Sequence, residues 1–275
     1  MLDILHFMAA PFVACLVLVS IHSYLGLHVL LRKIIFVDLA LAQIAAFGLV
    51  VAVVSGHEAG TPAAYAFSLG ATLVGAAIFS LTRTRHERVP QEAIIGITFV
   101  VASAASILVA DRAPEGAEQI KELLAGAILW VSWKNVITTL LIYAAVGFFH
   151  FAFRHRFILI SENPEQAFAR GMRVRLWDFL FYASFGIVIT LAVEMAGVLM
   201  VFSYLVAPAI IALASADRWL QRLTIAFGVG FVASAFGLFA SYQWDLPSGP
   251  AIVCVLGLLL VLFAGWKRMT SRQTG

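Results

Sequence analysis

Long hydrophobic runs fill most of this chain, and short polar stretches separate them. Each run holds about 20 residues, the length that an α-helix needs to cross a hydrocarbon core of roughly 30 Å. The pattern predicts an all-α integral membrane protein, a polytopic helical bundle of about 8–9 transmembrane helices. The runs lie at roughly residues 4 to 31, 34 to 54, 62 to 82, 91 to 110, 135 to 153, 176 to 194, 197 to 215, 223 to 243 and 249 to 266.

Two stretches depart from one helix per run. The run from Leu123 to Trp133 is about 11 residues, or roughly 16 Å of helix, which is too short to span and predicts a re-entrant or half helix. The stretch from Trp177 to Ala214 would measure about 57 Å as one straight helix. The chain is therefore expected to fold back near Ala196 and Gly197.

Composition agrees with a membrane protein in a single transmembrane domain over residues 1–275. The chain is 62% hydrophobic and 12% charged, with a mean hydropathy of +0.98, values far from those of a soluble domain. The net charge of +3 lies in short connections and the tail, which argues against nucleic-acid binding. Cys15 and Cys254 lie in apolar runs and indicate neither a disulfide nor a metal cluster. The long first run predicts an uncleaved helix rather than a signal peptide.

Basic residues mark alternate connections, which orients the chain because such residues resist translocation. The opposite connections, SGHEAGTP, DRAPEGAEQ and WDLPSGP, hold acids, Gly and Pro, with one Arg among them. We therefore predict nine crossings, an outer N-terminus and a cytoplasmic tail at 267–275. The basic clusters are Arg32 with Lys33, Arg83 to Arg88, Arg154 to Arg175, Arg218 with Arg222, and Lys267 with Arg268.

The arginine-rich segment from Arg154 to Arg175 has the signals of a docking element. Pro164 after Asn163 is typical of a helix start, Glu165 suits the first turn, and Gly171 is typical of a helix end. The pattern predicts a short helix from Glu165 to Arg170 on the cytoplasmic surface of the membrane, where a soluble partner could push on it.

Polar residues inside the apolar runs are the candidates for a substrate pathway and for metal ligands, because they are costly in a membrane. His22, Asp38 and Gln43 are the first three. His22 and Gln43 lie at similar depths on helices joined by a short turn, which favours antiparallel neighbours, so the two side chains could meet. Each also has a structural explanation: an interior hydrogen bond for His22, the helix dipole and the nearby basic pair for Asp38, and an interhelical hydrogen bond for Gln43. Asp38 and Gln43 are about 140° apart around the helix and do not share a face.

Three further residues are placed in the substrate pathway. Pro208 lies within an apolar run, where it removes a backbone hydrogen bond and kinks the helix, and such breaks often lie at transporter pathways. Asp245 belongs to the outer turn WDLPSGP, where turn chemistry is an equal explanation. Glu194 is the third.

Signatures of catalysis are absent from the sequence. It contains no GxxxxGK[ST], HExxH or GxSxG motif, so the chain is not expected to be an enzyme or to bind a cofactor. Any ATP-driven work would come from another subunit.

An ordered set of motifs resembles the permease subunits of ATP-binding-cassette (ABC) importers for zinc, manganese or iron. The motifs are RKIIFVDLALAQIAAFG, IIGITFVVAS, LLAGAILWVS, SENPEQAFARGMRVR, GVLMVFSYLVAPA and WDLPSGP. The resemblance implies a homodimeric permease in the cell membrane, surrounded by lipid, with two cytoplasmic ATPase subunits and an extracytoplasmic solute-binding protein. It also implies that the segment from Ser161 to Arg175 is the coupling helix that contacts the ATPase. The implied coupling residues are Glu162, Pro164, Glu165, Ala167, Phe168 and Gly171.

The sequence departs from this family's pattern at the metal ligands. Family members typically carry an acid and a His four residues apart in the second helix, where this chain has Leu39 and Gln43. PAIIA, from Pro208 to Ala212, replaces the family's Pro-Ala-Ala-Thr-Ala run. We therefore expect an importer of a divalent transition metal or its complex, powered by a separate ATPase. The alternatives are the same architecture carrying another solute or an organic chelate, and an ion-coupled secondary transporter without an ATPase.

Overall fold

The computed structural model describes residues 2–58, 60–83, 89–111 and 128–271. Over these ranges the chain forms eleven α-helices and one short 3-10 turn, Ile128–Trp130, and it contains no strand. The expected all-α fold is confirmed. The helices are α1 (Leu2–Arg32), α2 (Val37–Val54), α3 (Pro62–Leu81), α4 (Gln91–Ala110), α5 (Trp133–Ala152), α6 (Arg154–Glu162), α7 (Pro164–Ala169), α8 (Val174–Ala196), α9 (Val198–Ser215), α10 (Trp219–Trp244) and α11 (Ser248–Ser271).

Nine of the described helices, α1 to α5 and α8 to α11, are long and apolar enough to cross a membrane. They coincide with the nine predicted runs, within a few residues at each end. The re-entrant helix expected from Leu123 to Trp133 lies largely outside the described residues. Its described part begins with the 3-10 turn, and α5 then begins at Trp133.

Local sequence signals explain several helix ends. Thr61 caps α3 by accepting a hydrogen bond from the Ala64 backbone N–H, and Pro62 occupies the first helical position. Gly197 separates α8 from α9 at a φ of +75°, a conformation that glycine adopts without steric cost. The expected fold-back at Ala196 and Gly197 is therefore confirmed.

The arginine-rich segment forms two short helices, α6 and α7, which Asn163 separates. The Asn163 Oδ1 atom accepts a hydrogen bond of 3.0 Å from the Gln166 backbone N–H, and Pro164 begins α7. Gly171 then adopts a φ of +70°. The predicted short helix is confirmed, shifted by one residue at each end.

The helices pack in two groups. α1 packs mainly against α9, α10, α5 and α6, whereas α2 packs mainly against α3, α4 and α8. α1 and α2 are joined by a short turn in which Lys33 has a φ of +58°, but each packs against different helices. α1 approaches α9 closely at Gly26, where an added Cβ atom would collide with the Leu205 carbonyl oxygen. α9 stays helical from Val198 to Ser215 with Pro208 inside it.

Candidate functional site

A buried ion pair joins the C-terminal end of α1 to the beginning of α8. The Arg32 guanidinium NH1 atom lies 2.6 Å from Asp178 Oδ1, and both side chains are 0% exposed. Arg83 Nε lies 3.8 Å from the other carboxylate oxygen. Sequence reasoning missed Asp178, although an acid within the apolar stretch VRLWDFLF is the signal that indicates a buried partner for a base.

Ser161, at the end of α6, connects the arginine-rich segment to this pair. Its Oγ atom accepts a hydrogen bond of 2.8 Å from Arg32 Nε and donates one of 2.9 Å to the Phe157 carbonyl of its own helix. The Nδ1 atom of His28, one turn before Arg32, lies 2.7 Å from the same hydroxyl. Three helices, α1, α6 and α8, therefore meet in one hydrogen-bonded cluster.

Glu162 fastens the same segment to α10. Its Oε1 atom accepts a hydrogen bond of 2.8 Å from Trp219 Nε1 and lies 3.7 Å from Arg222 NH1. This contact differs from the one at Ser161 because the Glu162 side chain is 42% exposed. The Glu162 contact therefore links the arginine-rich segment to α10 at a solvent-accessible position.

α7 presents one face to solvent and packs the other inward. Glu165, Gln166 and Ala169 are exposed, as is Gly171 beyond the helix. Ala167 is 0% exposed. Its methyl group packs against the protein, and the coupling role that the resemblance implies for Ala167 stays a prediction.

The remaining implied coupling residues, Pro164 and Phe168, are half-buried. Their share of any docking contact stays a prediction, as it does for the exposed Glu162, Glu165 and Gly171.

No hydrogen bond joins His22 to Gln43, so the structural bond that the sequence allowed between them is not formed. His22 is 0% exposed, its Nδ1 atom lies 2.7 Å from the Leu18 carbonyl oxygen, and its Nε2 atom has no hydrogen-bond partner. Gln43 is half-buried on α2. The short turn keeps the adjoining ends of α1 and α2 close, while the packing partners of the two helices differ along their lengths.

Asp38 lies in the first turn of α2 and is 2% exposed. Asp38 forms no ion pair with Arg32, whose carboxylate partner is Asp178 of α8. One oxygen of Asp38, Oδ1, has no hydrogen-bond partner. Within the described part of the chain, no group of three or more His, Cys, Asp and Glu side chains is arranged to hold a metal ion. The ligand roles of His22, Asp38 and Gln43 stay predictions.

The other three predicted pathway residues lie at separate places. Glu194 is exposed near the end of α8, and Pro208 is buried inside α9. Asp245 is exposed and adopts a φ of +51° at the end of α10, where the Leu246 N–H donates to the Ser241 carbonyl oxygen. Asp245 thus has the turn conformation that the sequence allowed, and a pathway role for any of the three stays a prediction.

A second buried polar contact that sequence reasoning missed involves His150 on α5. Its Nε2 atom lies 2.8 Å from Ser184 Oγ, its Nδ1 atom lies 3.3 Å from the Tyr24 hydroxyl, and its ring stacks on Phe157. The apolar flanks of His150 give the only sequence signal. This contact adds to the links that α5, α6 and α8 make with α1.

Comparison with known proteins identifies the relatives of the chain. Residues 4–266 match the ABC 3 transport family. The manganese transport system membrane protein MntB of Synechocystis sp. is 26% identical over 199 residues, which cover 72% of this chain and 63% of the relative. The chain thus spans just under two thirds of that relative's length. The manganese transport system membrane protein MntC of Listeria innocua is 25% identical over 200 residues, covering 69% of this chain and 70% of the relative.

Two solved structures share the fold. One is PsaBC from Streptococcus pneumoniae in complex with Fab, with a TM-score of 0.77 and 22% identity, over 95% of this chain and 93% of that one. The other is described as an inward-facing conformation of a putative metal-chelate type ABC transporter. Its TM-score is 0.68 at 15% identity, over 92% of this chain and 86% of that one. Because the family match spans nearly the whole chain, this multi-pass membrane protein belongs to the ABC 3 transport family.

Proposed function

We propose that the chain is the transmembrane permease subunit of an ABC importer and moves a divalent transition metal ion into the cytoplasm. The observation that carries this proposal is the family match over residues 4–266. The manganese transport named for two relatives supports the class of substrate. A second copy of the chain, two ATPase subunits and an extracytoplasmic solute-binding protein complete the assembly.

The role of α7 follows from its exposed face. A separate ATPase must contact the permease on its cytoplasmic side, and the basic residues around α7 predict that side. Glu165, Gln166 and Ala169 offer a short helical surface that no other described helix covers. We assign this surface to ATPase docking, so that nucleotide-driven movement of the ATPase displaces α7.

A metal chelate is the second candidate substrate. Leu39 and Gln43 stand where the resembling importers carry an acid and a histidine, and a leucine side chain offers no metal ligand. A carrier that recognises an organic shell around the metal needs fewer direct ligands. The structural neighbour described as metal-chelate type has the same fold.

The test of the proposed function combines association and uptake. The chain is expressed with an ABC ATPase and a solute-binding protein from the same organism, purified and reconstituted into liposomes containing a metal-sensing dye. ATP-dependent entry of manganese or zinc is the expected result, and entry of the metal only with an added chelator would select the second candidate. Absence of any associated ATPase, or uptake that follows an ion gradient without ATP, would refute the ABC assignment.

Two single variants, each of which introduces one aspartate, test the docking surface. Ala169→Asp puts a charge on the exposed face of α7, where a docked ATPase would have to bury it at a cost of several kcal/mol. We expect loss of ATPase association with normal membrane insertion. Gln221→Asp is the matched control, because this exposed residue lies in the first turn of α10, where an acid is tolerated. Normal association of Ala169→Asp would remove α7 from the docking surface.

A further inference from the structure

Arg32, Ser161 and Asp178 form a cluster that we name the cytoplasmic joint. Arg32 ends α1, Ser161 lies at the end of α6, and Asp178 lies in the second turn of α8. All three residues are buried. We propose that the cytoplasmic joint transmits the displacement of α7 to α1 and α8, which makes these three positioning residues for transport.

The first step is that α6 and α7 move together. One residue, Asn163, separates them, and its backbone groups bond to both sides: its N–H donates to Leu159, and its carbonyl oxygen accepts from Ala167. The inner faces of both helices are buried, with Phe157 and Ile160 of α6 at 0% exposure. A push on the exposed face of α7 therefore reaches Ser161.

The second step is the geometry of the Arg32 guanidinium. Its Nε atom donates to Ser161 and its NH1 atom donates to Asp178, so one planar group holds two other helices in fixed directions. The same group lies over the Phe181 ring, 4.0 Å from the ring centroid. Directional bonds in a buried site resist shear, because each bond weakens steeply when its angle changes.

The third step concerns the helices that receive the displacement, which are those packed against α1 and α8. α1 packs against α9 and α10 and carries His22, whereas α8 packs against α2 and α3, and α2 carries Asp38 and Gln43. The cytoplasmic joint is thus connected to both groups of helices. A displacement that enters at Ser161 shifts α1 and α8 with respect to the helices around them.

This role rests on the proposed function, since it needs an ATPase that moves α7. Its first test compares two serines of the same type. Ser161 and Ser106 are both buried, and each donates to the carbonyl four residues earlier, Phe157 or Ala102. Ser161 alone of the two is also bonded to Arg32 and His28. The variants Ser161→Ala and Ser106→Ala therefore differ in the loss of bonds to α1.

The readout is the amount of metal transported per ATP hydrolysed by the reconstituted complex. For Ser161→Ala we expect this ratio to fall roughly 2- to 30-fold, the range typical of residues along a coupling route, with ATP hydrolysis retained. Ser106→Ala is expected to keep the wild-type ratio. A purely structural role would lower transport and hydrolysis together with the amount of folded protein, and it would leave the ratio unchanged. An unchanged ratio overturns the proposal.

The second test needs the chain alone and separates this proposal from the proposed function. Spin labels are attached at Ser20→Cys on α1 and Ala169→Cys on α7, both exposed positions, in a Cys254→Ser background. Cys15 is buried, so we expect it to stay unlabelled. Double electron–electron resonance spectroscopy then gives the distribution of distances between the two labels.

We expect Ser161→Ala and Asp178→Asn to broaden this distribution and Ser106→Ala to leave it unchanged. A distribution as narrow as that of the wild type in both joint variants would overturn the joint. Failure of the wild-type chain to associate with an ATPase would instead refute the proposed function, and the label distances would still decide whether α7 is fixed to α1.

Discussion

The removal of the Asp178 carboxylate tests whether the buried ion pair is built as described. Asp178 faces two guanidinium groups, with Arg32 at 2.6 Å and Arg83 at 3.8 Å, whereas among the described residues Arg32 is paired with this carboxylate alone. The two partners are therefore not equivalent. Asp178→Leu leaves two arginines without their common acid, while Arg32→Met leaves Asp178 beside Arg83.

The magnitudes follow from this asymmetry. At 2.6 Å and an effective dielectric constant of about 20, the attraction between Arg32 and Asp178 is about 6 kcal/mol, which burial of the two charges offsets in part. Breaking such a pair from one side costs about 3–5 kcal/mol, the loss we expect for Asp178→Leu. Arg32→Met should cost less, about 1.5–3 kcal/mol, because Arg83 still neutralises the carboxylate.

The double variant Arg32→Met with Asp178→Leu decides between pairing and packing. It buries neither charge of the pair, so we expect it to be more stable than Asp178→Leu alone by about 1–3 kcal/mol. The assay is unfolding of purified protein in micelles by titrated dodecyl sulfate, followed by tryptophan fluorescence. If the losses in free energy of unfolding of the two single variants simply add in the double variant, a direct interaction is refuted. A cost below about 1 kcal/mol for Asp178→Leu would refute it as well.

Three further predictions concern packing, substrate and orientation. Gly26→Ala should destabilise the fold by about 1–3 kcal/mol, because the added Cβ atom would collide with the backbone of α9. The control Gly147→Ala places its Cβ atom in open space and should be neutral or stabilising by up to about 1 kcal/mol. The same unfolding assay compares the two variants, and equal effects would refute the close approach of α1 to α9. If His22 is a metal ligand, His22→Ala should reduce uptake severely at limiting manganese or zinc, and uptake should be partly restored at high metal concentration. If His22 makes only a structural contact, the variant should lower the amount of folded protein with little dependence on metal. Wild-type transport kinetics across the metal titration would remove the ligand role. Single cysteines at Glu58 and Gln166 should react with an impermeant reagent from opposite sides of the membrane, and labelling of both from one side would contradict the orientation.

The sequence was sufficient for the helices because their signals are local. Length and hydropathy locate a crossing, and Asn163, Pro164, Gly171 and Gly197 act on the backbone next to them. The predicted helix after Asn163 and the fold-back at Gly197 were found within one residue.

The candidate site could not be predicted in the same way, because its contacts join distant parts of the chain. Arg32 is 146 residues from Asp178, and no periodicity indicates which acid a basic residue will find. The short turn after Arg32 suggested that His22 and Gln43 could meet, yet the packing partners of α1 and α2 diverge beyond the turn. Proximity in sequence sets which helix ends are close, and side-chain packing along the whole length decides the rest.

The distance in sequence between Arg32 and its partners also sets an order for biosynthesis. When α1 and α2 have entered the membrane, Ser161 and Asp178 have not yet been synthesised, so the guanidinium of Arg32 must remain at the aqueous interface. The ion pair closes only after α6 and the beginning of α8 have left the ribosome. A nascent chain that stops after α5 therefore keeps a solvated cation at the end of α1, and the final packing of the first helix becomes one of the last events in the assembly of the bundle.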